Sequence, residues 1–227
     1  SPVWDTAQAV FARGTAGVPA DDPRMEKAAD WILPKQVRTK GDWEMKVKKG
    51  QPGGWYFEFN NEFYPDVDDS AQVFLGLSKV DNPRDRYQRD VGQRAIDWIF
   101  AMQCRNGGWA SFDKDNDKMM FQYVPFADHN AMLDPPTVDI TGRILEMLAT
   151  YGYTRTDRRV ERAISFVNEE QEPDGSWFGR WGVNYIYGTL LVLRGLEAIG
   201  VCLHEPRIQQ GAEWLRMVQN PDGGWGE

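Results

Sequence analysis

The 227 residues carry 26 basic and 34 acidic side chains, a formal charge of −8, and 41% of them are hydrophobic. This balance describes a globular chain and excludes intrinsic disorder, and with no block of basic residues it argues against nucleic acid as a partner. The longest apolar run, Tyr185–Leu193, falls short of the roughly 18–20 residues of a membrane span, and Cys104, Cys202, His129 and His204 form neither a disulfide framework nor a convincing metal set.

The chain opens at Ser1-Pro2-Val3-Trp4 and stops at Gly226-Glu227 just after a glycine-rich turn, and it is expected to be an internal piece of a longer protein. A first helix is predicted over Val3–Gly14. Then comes a pattern that recurs four times: an aromatic residue, Gln five residues later, then Gly and Trp. The copies read Trp31…Gln36…Gly41-Asp42-Trp43, Trp98…Gln103…Gly107-Gly108-Trp109, Phe166…Gln171…Gly175-Ser176-Trp177 and Trp214…Gln219…Gly223-Gly224-Trp225. Ala28, Ala95, Ala163 and Gly211 stand three residues before the aromatic. The 3.6-residue spacing of Val91, Ala95, Trp98, Ile99 and Met102 makes each copy a helix that runs into a tight turn.

Helices of a second kind, richer in small and apolar residues, are predicted between the copies at Asp69–Val80, Thr137–Thr150 and Tyr185–Gly200. The order is then inner helix, outer helix, Gln-Gly-Trp turn, repeated. No such pair buries its apolar face alone, so the pairs stack. The expected fold is all-α, an α/α toroid, here an incomplete barrel of about four inner/outer helix pairs. Residues 1–227 would form one partial catalytic barrel domain with repeats ending near 43, 109, 177 and 225. The long linkers Lys40–Tyr64 and Ala110–Leu133 are expected to line a functional mouth.

Chemistry concentrates at Tyr64-Pro65-Asp66-Val67-Asp68-Asp69-Ser70-Ala71, where three carboxylates precede an apolar helix. Helix capping explains one or two of them, and not three. Neighbouring carboxyls cannot all ionise cheaply, so one keeps a proton that it can donate. A second group lies at Asp134-Pro135-Pro136-Thr137-Val138-Asp139-Ile140-Thr141-Gly142-Arg143. Asp134 reads as a helix start with no chemistry. Asp139 and Arg143, four apart, share a helix face and can pair.

On these residues the whole chain resembles the squalene–hopene cyclases, the bacterial triterpene cyclases, of which it would be about a third. The fourfold repeat is similar to that family's Gln-Trp motif, Asp66-Val67-Asp68-Asp69-Ser70 to its acid motif, and Gly179-Arg180-Trp181-Gly182-Val183-Asn184-Tyr185-Ile186-Tyr187-Gly188-Thr189 to a further diagnostic stretch. The resemblance implies acid-initiated cyclisation of squalene to hopene or hopanol through carbocations, without metal or organic cofactor. By position Asp68 would donate the proton, flanked by Asp66 and Asp69. Asp139 would belong to the network holding a cationic partner against Asp68. Familiar members carry His where this chain has Arg143. Arginine does not return protons at ordinary pH, so Arg143 would activate the acid electrostatically, and ordered water would reprotonate it.

By the same resemblance Trp4, Phe57, Phe112, Trp181 and Tyr187 line the cavity and stabilise cations by their ring faces. Phe112 stands where a familiar member has Tyr. Phe126 and Ala127 match a substrate-channel constriction. The repeat tryptophans Trp43, Trp109, Trp177 and Trp225 would be structural, each tied to its Gln and joining neighbouring outer helices, while Trp55 is left undecided. The parent enzyme would dock as a monotopic protein on the cytoplasmic side of a bacterial inner membrane and form a homodimer, and the piece alone would be inactive. Three rivals compete with this reading. A carbohydrate-active toroid enzyme would use an Asp pair, a prenyltransferase subunit would need zinc, and a non-catalytic helical-repeat scaffold would use its carboxylates as caps.

Overall fold

The computed structural model describes residues 1–59, 61–81, 85–118 and 132–227. Among the described residues, four inner helices alternate with four outer ones: α1 Pro2–Thr15, α2 Pro23–Ile32, α3 Val67–Leu77, α4 Asp85–Met102, α5 Val138–Thr150, α6 Arg158–Glu169, α7 Asn184–Ala198 and α8 Pro206–Met217. Two short antiparallel strands, β1 Trp55–Tyr56 and β2 Pro65–Asp66, pair Trp55 with Asp66 and lead directly into α3. The chain divides into two compact units. One holds Ser1–Gln103 with Ser111–Lys114, the other Cys104–Ala110 with Asp115–Glu227.

Inner and outer helices differ as their sequences require. Every residue of α3 is buried, and α5 exposes little beyond its C-terminal end. The outer helix α6 buries only the stripe Val160, Ala163, Phe166 and Val167. Outer helices start sharply. Asp22 and Asp157 accept backbone N–H bonds as N-caps, and Pro23 and Pro206 occupy the first turn, where a missing N–H costs nothing. Asp134 does not start α5, contrary to the sequence expectation. Pro135 and Pro136 hold the chain extended, Thr137 is the N-cap residue, and Asp134 is buried in a bridge with Asn116.

The turns form one repeated joint. The residue after the Gln donates its N–H to the residue before the Trp: Cys104 to Gly108 O (2.9 Å), Glu172 to Ser176 O (2.9 Å), Asn220 to Gly224 O (2.8 Å). The Gln amide closes the turn, from Gln171 Nε2 to Gly175 O (2.9 Å) and from Gln219 Nε2 to Gly223 O (2.7 Å). Indole N–H groups reach back to the outer helix, Trp177 to Val167 O and Trp225 to Leu215 O, both 2.8 Å. Gly107, Gly175 and Gly223 all have φ near +90 to +102°, which side chains rarely adopt. The next outer helix then packs on the turn: a Cβ on Gly108 would meet the Phe166 ring at 2.6 Å, and one on Gly211 would meet Trp177 at 2.6 Å. The second contact explains the small residue three places before Trp214.

The same bonds correct the register of the first copy. Gln36 Nε2 donates to Gly53 O (2.7 Å), Val37 N to Gly54 O (2.8 Å), and Trp55 Nε1 to Ile32 O (3.0 Å). The first repeat therefore closes at Gly53-Gly54-Trp55 and not at Trp43. Residues between Gln36 and Gly53 are an insertion into the turn. Trp43 is buried as well, but it packs edge-on against Trp98 at 6.2 Å, and its indole N–H has no partner among the described residues. Gln36 also donates to Val91 O on α4 (2.8 Å) and Gln171 to Arg207 O on α8 (2.9 Å), which ties α2 to α4 and α6 to α8. In the parent protein Trp55→Phe is expected to cost about 1–3 kcal/mol more than Trp43→Phe in urea unfolding, because it strands the Ile32 carbonyl. Equal losses would restore the Trp43 register.

Candidate active site

The joint also reaches the inner helices. Trp55 N donates to Ser70 Oγ (2.7 Å), Trp109 N to Thr141 Oγ1 (3.1 Å) and Trp177 N to Thr189 Oγ1 (2.9 Å). Ser70 and Thr141 in turn donate to the carbonyl four residues back, at Asp66 and Thr137, and Thr6 on α1 does the same to Pro2. These four hydroxyls mark one equivalent position on α1, α3, α5 and α7. Two residues before it stand Trp4, Asp68, Asp139 and Tyr187. Four of the residues singled out from sequence thus share a single place in the repeat, each within its own helix.

In the first unit, Asp66 caps α3: its Oδ1 accepts from Asp69 N at 3.0 Å. Asp68 and Asp69 follow inside the first turn, so the helix begins two residues earlier than its apolar pattern suggested. Capping accounts for Asp66. All three carboxyls are buried, Asp68 at 8% exposure and Asp69 at 2%. Burial, then the charges of Asp69 and Asp68, push Asp66 well above the usual carboxylate range, against the pull of the backbone N–H groups. The proton so retained belongs to the cluster as a coupled set.

A raised carboxyl makes folding less favourable as pH climbs from the unfolded value, about 4, through the folded one. Asp66→Asn keeps the capping oxygen and removes the charge. Its stability relative to the unchanged parent protein is expected to be equal near pH 4 and to rise toward pH 7 in denaturant titrations. A difference that stays flat with pH would show that Asp66 is ionised at no cost.

Ser111 O accepts from Val67 N (2.7 Å), which sets half-buried Phe112 beside the start of α3. Phe57 directly follows β1 and is half exposed, and Trp4 is half-buried on α1. Phe126 and Ala127 lie outside the described residues.

In the second unit, α5 carries Asp139 and Arg143 one turn apart, both buried. Asp139 Oδ2 accepts from Trp181 N (2.9 Å) and Arg143 Nη2 donates to Tyr187 Oη (2.9 Å). Arg180 sits over the Trp181 ring at 5.7 Å and donates to Leu133 O. Asp139, Arg143, Trp181 and Tyr187 are thus brought together as one group. Three residues take roles here that the sequence did not assign to them. Trp55 could have been found, since Gly-Gly-Trp occurs at 53–55 as at 107–109 and 223–225. Ser70 carries no local signal for its joint role. Nor does Glu227, whose carboxylate accepts from Asn184, Tyr185 and Ile186 N at 2.7, 3.1 and 2.5 Å and so caps α7.

A model of the squalene–hopene cyclase C-terminal domain matches residues 1–227. Squalene–hopene cyclase of Bradyrhizobium diazoefficiens is 43% identical over 237 residues, which cover 100% of this chain and 35% of that protein. The enzyme of Alicyclobacillus acidocaldarius is 46% identical over 200 residues, 88% of this chain and 32% of its own. The chain therefore spans about a third of the length of these relatives. Among solved structures, a type II terpene cyclase from Scytonema superposes with a TM-score of 0.67 at 17% identity, covering 99% of this chain and 57% of its own. The ent-copalyl diphosphate synthase of Streptomyces platensis gives 0.65 at 17%, covering 99% and 36%. The fold is thus the α/α toroid of type II terpene cyclases, and by its sequence the chain belongs to the squalene–hopene cyclase C-terminal domain family.

Proposed function

We propose that the parent protein protonates squalene and cyclises it to hopene and hopanol, with Asp68 as the proton donor. The observation that carries this reading is the buried carboxyl triad at the head of α3, in a chain of this family. A carboxylic acid must be both protonated and sheltered from water to add H⁺ to an alkene, and burial with like-charge neighbours favours that state. The Asp68 O–H bond breaks, its proton forms a C–H bond at the terminal alkene, and the resulting tertiary cation is attacked by successive internal alkenes. Loss of a proton or addition of water ends the cascade. Family position assigns Arg143 to stabilise the carboxylate left on Asp68, and Trp4, Phe57, Phe112, Trp181 and Tyr187 to face the cations. Ring faces suit this task because they attract a cation without quenching it. Phe126 and Ala127 are assigned to the channel.

The substrate is a hydrophobic polyprenoid, which calls for peripheral membrane docking of the parent protein, assigned by family to the cytoplasmic side of a bacterial inner membrane, with a homodimer as the assembly. No helix among the described residues is long and apolar enough to cross a membrane. Family membership disfavours both the carbohydrate-active and the scaffold readings. Incubation of the full-length protein with squalene is expected to yield pentacyclic product by mass spectrometry. Folded full-length protein that leaves squalene untouched would overturn the assignment.

A further inference from the structure

Asp139 is fully buried, yet it occupies on α5 the repeat position that Asp68 occupies on α3. Its described hydrogen bond goes to a backbone. Oδ2 holds Trp181 N at 2.9 Å, within the loop 178–183 that leads into α7, and no described residue bonds Oδ1. The loop is also tied at Gly179 N to Asn184 O (2.9 Å) and at Arg180 to Leu133 O, but Val183, the N-cap residue of α7, caps through no side chain, and Trp181 and Val183 are exposed at 42% and 70%. One turn along α5, Arg143 holds the hydroxyl of Tyr187.

We infer that Asp139 is a positioning residue that fixes the Trp181 ring through its backbone N–H, with Arg143 fixing Tyr187 as a second rung. Two side chains on one rigid helix thereby orient two aromatic rings presented by a loop and by the first turn of α7. A buried acceptor oxygen holds an amide longer against water than an exposed one does. Aromatic stabilisation of a cation depends on ring placement, so a loosened Trp181 alters where the cascade stops. This role rests on the cyclase reading for its catalytic consequence, but the clamp itself is testable without catalysis.

The test uses the full-length protein with Asp139→Ala and Asp139→Asn. Amide hydrogen exchange of the peptide spanning 178–186 is expected to accelerate by about 10–100-fold in Asp139→Ala. It should change by under about 3-fold in Asp139→Asn, which retains an acceptor oxygen. With squalene, Asp139→Ala is expected to release prematurely terminated products, and adding it to Trp181→Ala should change the product pattern little further, since both act through one ring. Unchanged exchange in folded Asp139→Ala overturns the clamp whatever the activity. Accelerated exchange with no product from the unsubstituted parent instead overturns the cyclase reading. Equal loss of activity in Asn and Ala variants, with normal exchange in Asn, would assign Asp139 to electrostatics and overturn its positioning role.

Discussion

Asp68→Asn in the parent protein is expected to lower cyclisation by about 10³-fold or more, at the upper part of the range for a single general acid. The amide is nearly isosteric, so the fold and the cap at Asp66 should survive, and only the transferable proton is lost. Asp66 is not expected to substitute, because its Oδ1 already accepts the Asp69 N–H as the cap of α3. Measured by pentacyclic product per enzyme, undiminished turnover in Asp68→Asn would reassign the acid. Arg143→Met belongs beside it: cyclisation retained at the original rate would remove the electrostatic role given to Arg143. Tyr187→Phe is the control, since Arg143 also holds that hydroxyl. Matching losses in the two variants would show that Arg143 acts through Tyr187.

Gly195→Ala is expected to be strongly damaging for so small a change, costing about 1–3 kcal/mol or more in thermal or urea unfolding of the parent protein. Helix propensity alone says the opposite, since Ala is favoured over Gly by about 1 kcal/mol in a helix interior. Packing decides the sign. A Cβ on Gly195 would press into the carbonyl of Gly142, and one on Gly142 would lie 2.6 Å from Leu191 O. Backbone cannot rotate away as a side chain can, so α5 and α7 must separate. That separation would also stretch the bonds from Asp139 to Trp181 and from Arg143 to Tyr187. Activity should therefore fall further than stability alone explains. Gly92→Ala on α4 is the comparison, because its Cβ would meet Phe74 at an ordinary 3.7 Å. There propensity should win and stability should hold or rise. Equal responses at the two glycines would show that the α5–α7 approach is compliant.

The helices were legible because period, turn glycines and breakers all act locally. Inner helices predicted at Val3–Gly14 and Thr137–Thr150 form at Pro2–Thr15 and Val138–Thr150. The first turn was misread for an equally physical reason. Trp43 stands at nearly the right distance from Gln36, whereas Trp55 is brought there by an insertion whose course depends on Gln36 reaching Gly53 and on Trp98 packing over Gly54. Spacing cannot report a closure made in three dimensions. The carboxyl cluster was visible as composition, but only the cap geometry separates Asp66 from Asp68 and Asp69. The tie from Asp139 to the Trp181 backbone lies across 42 residues and uses a main-chain donor that every residue possesses.

The recurrent hydroxyl on the inner helices has a consequence for how such a chain can diversify. Ser70, Thr141 and Thr189 bear the mechanical coupling to the turns, and each does so with a residue type that varies little. Two places earlier the tenant changes freely, from tryptophan to aspartate to tyrosine, without disturbing that coupling. A duplicated unit of this kind carries its own vacancy for chemistry, insulated from the bonds that assemble it. New reactivity can then arise by exchanging one side chain per copy, while the ancestral architecture is inherited intact.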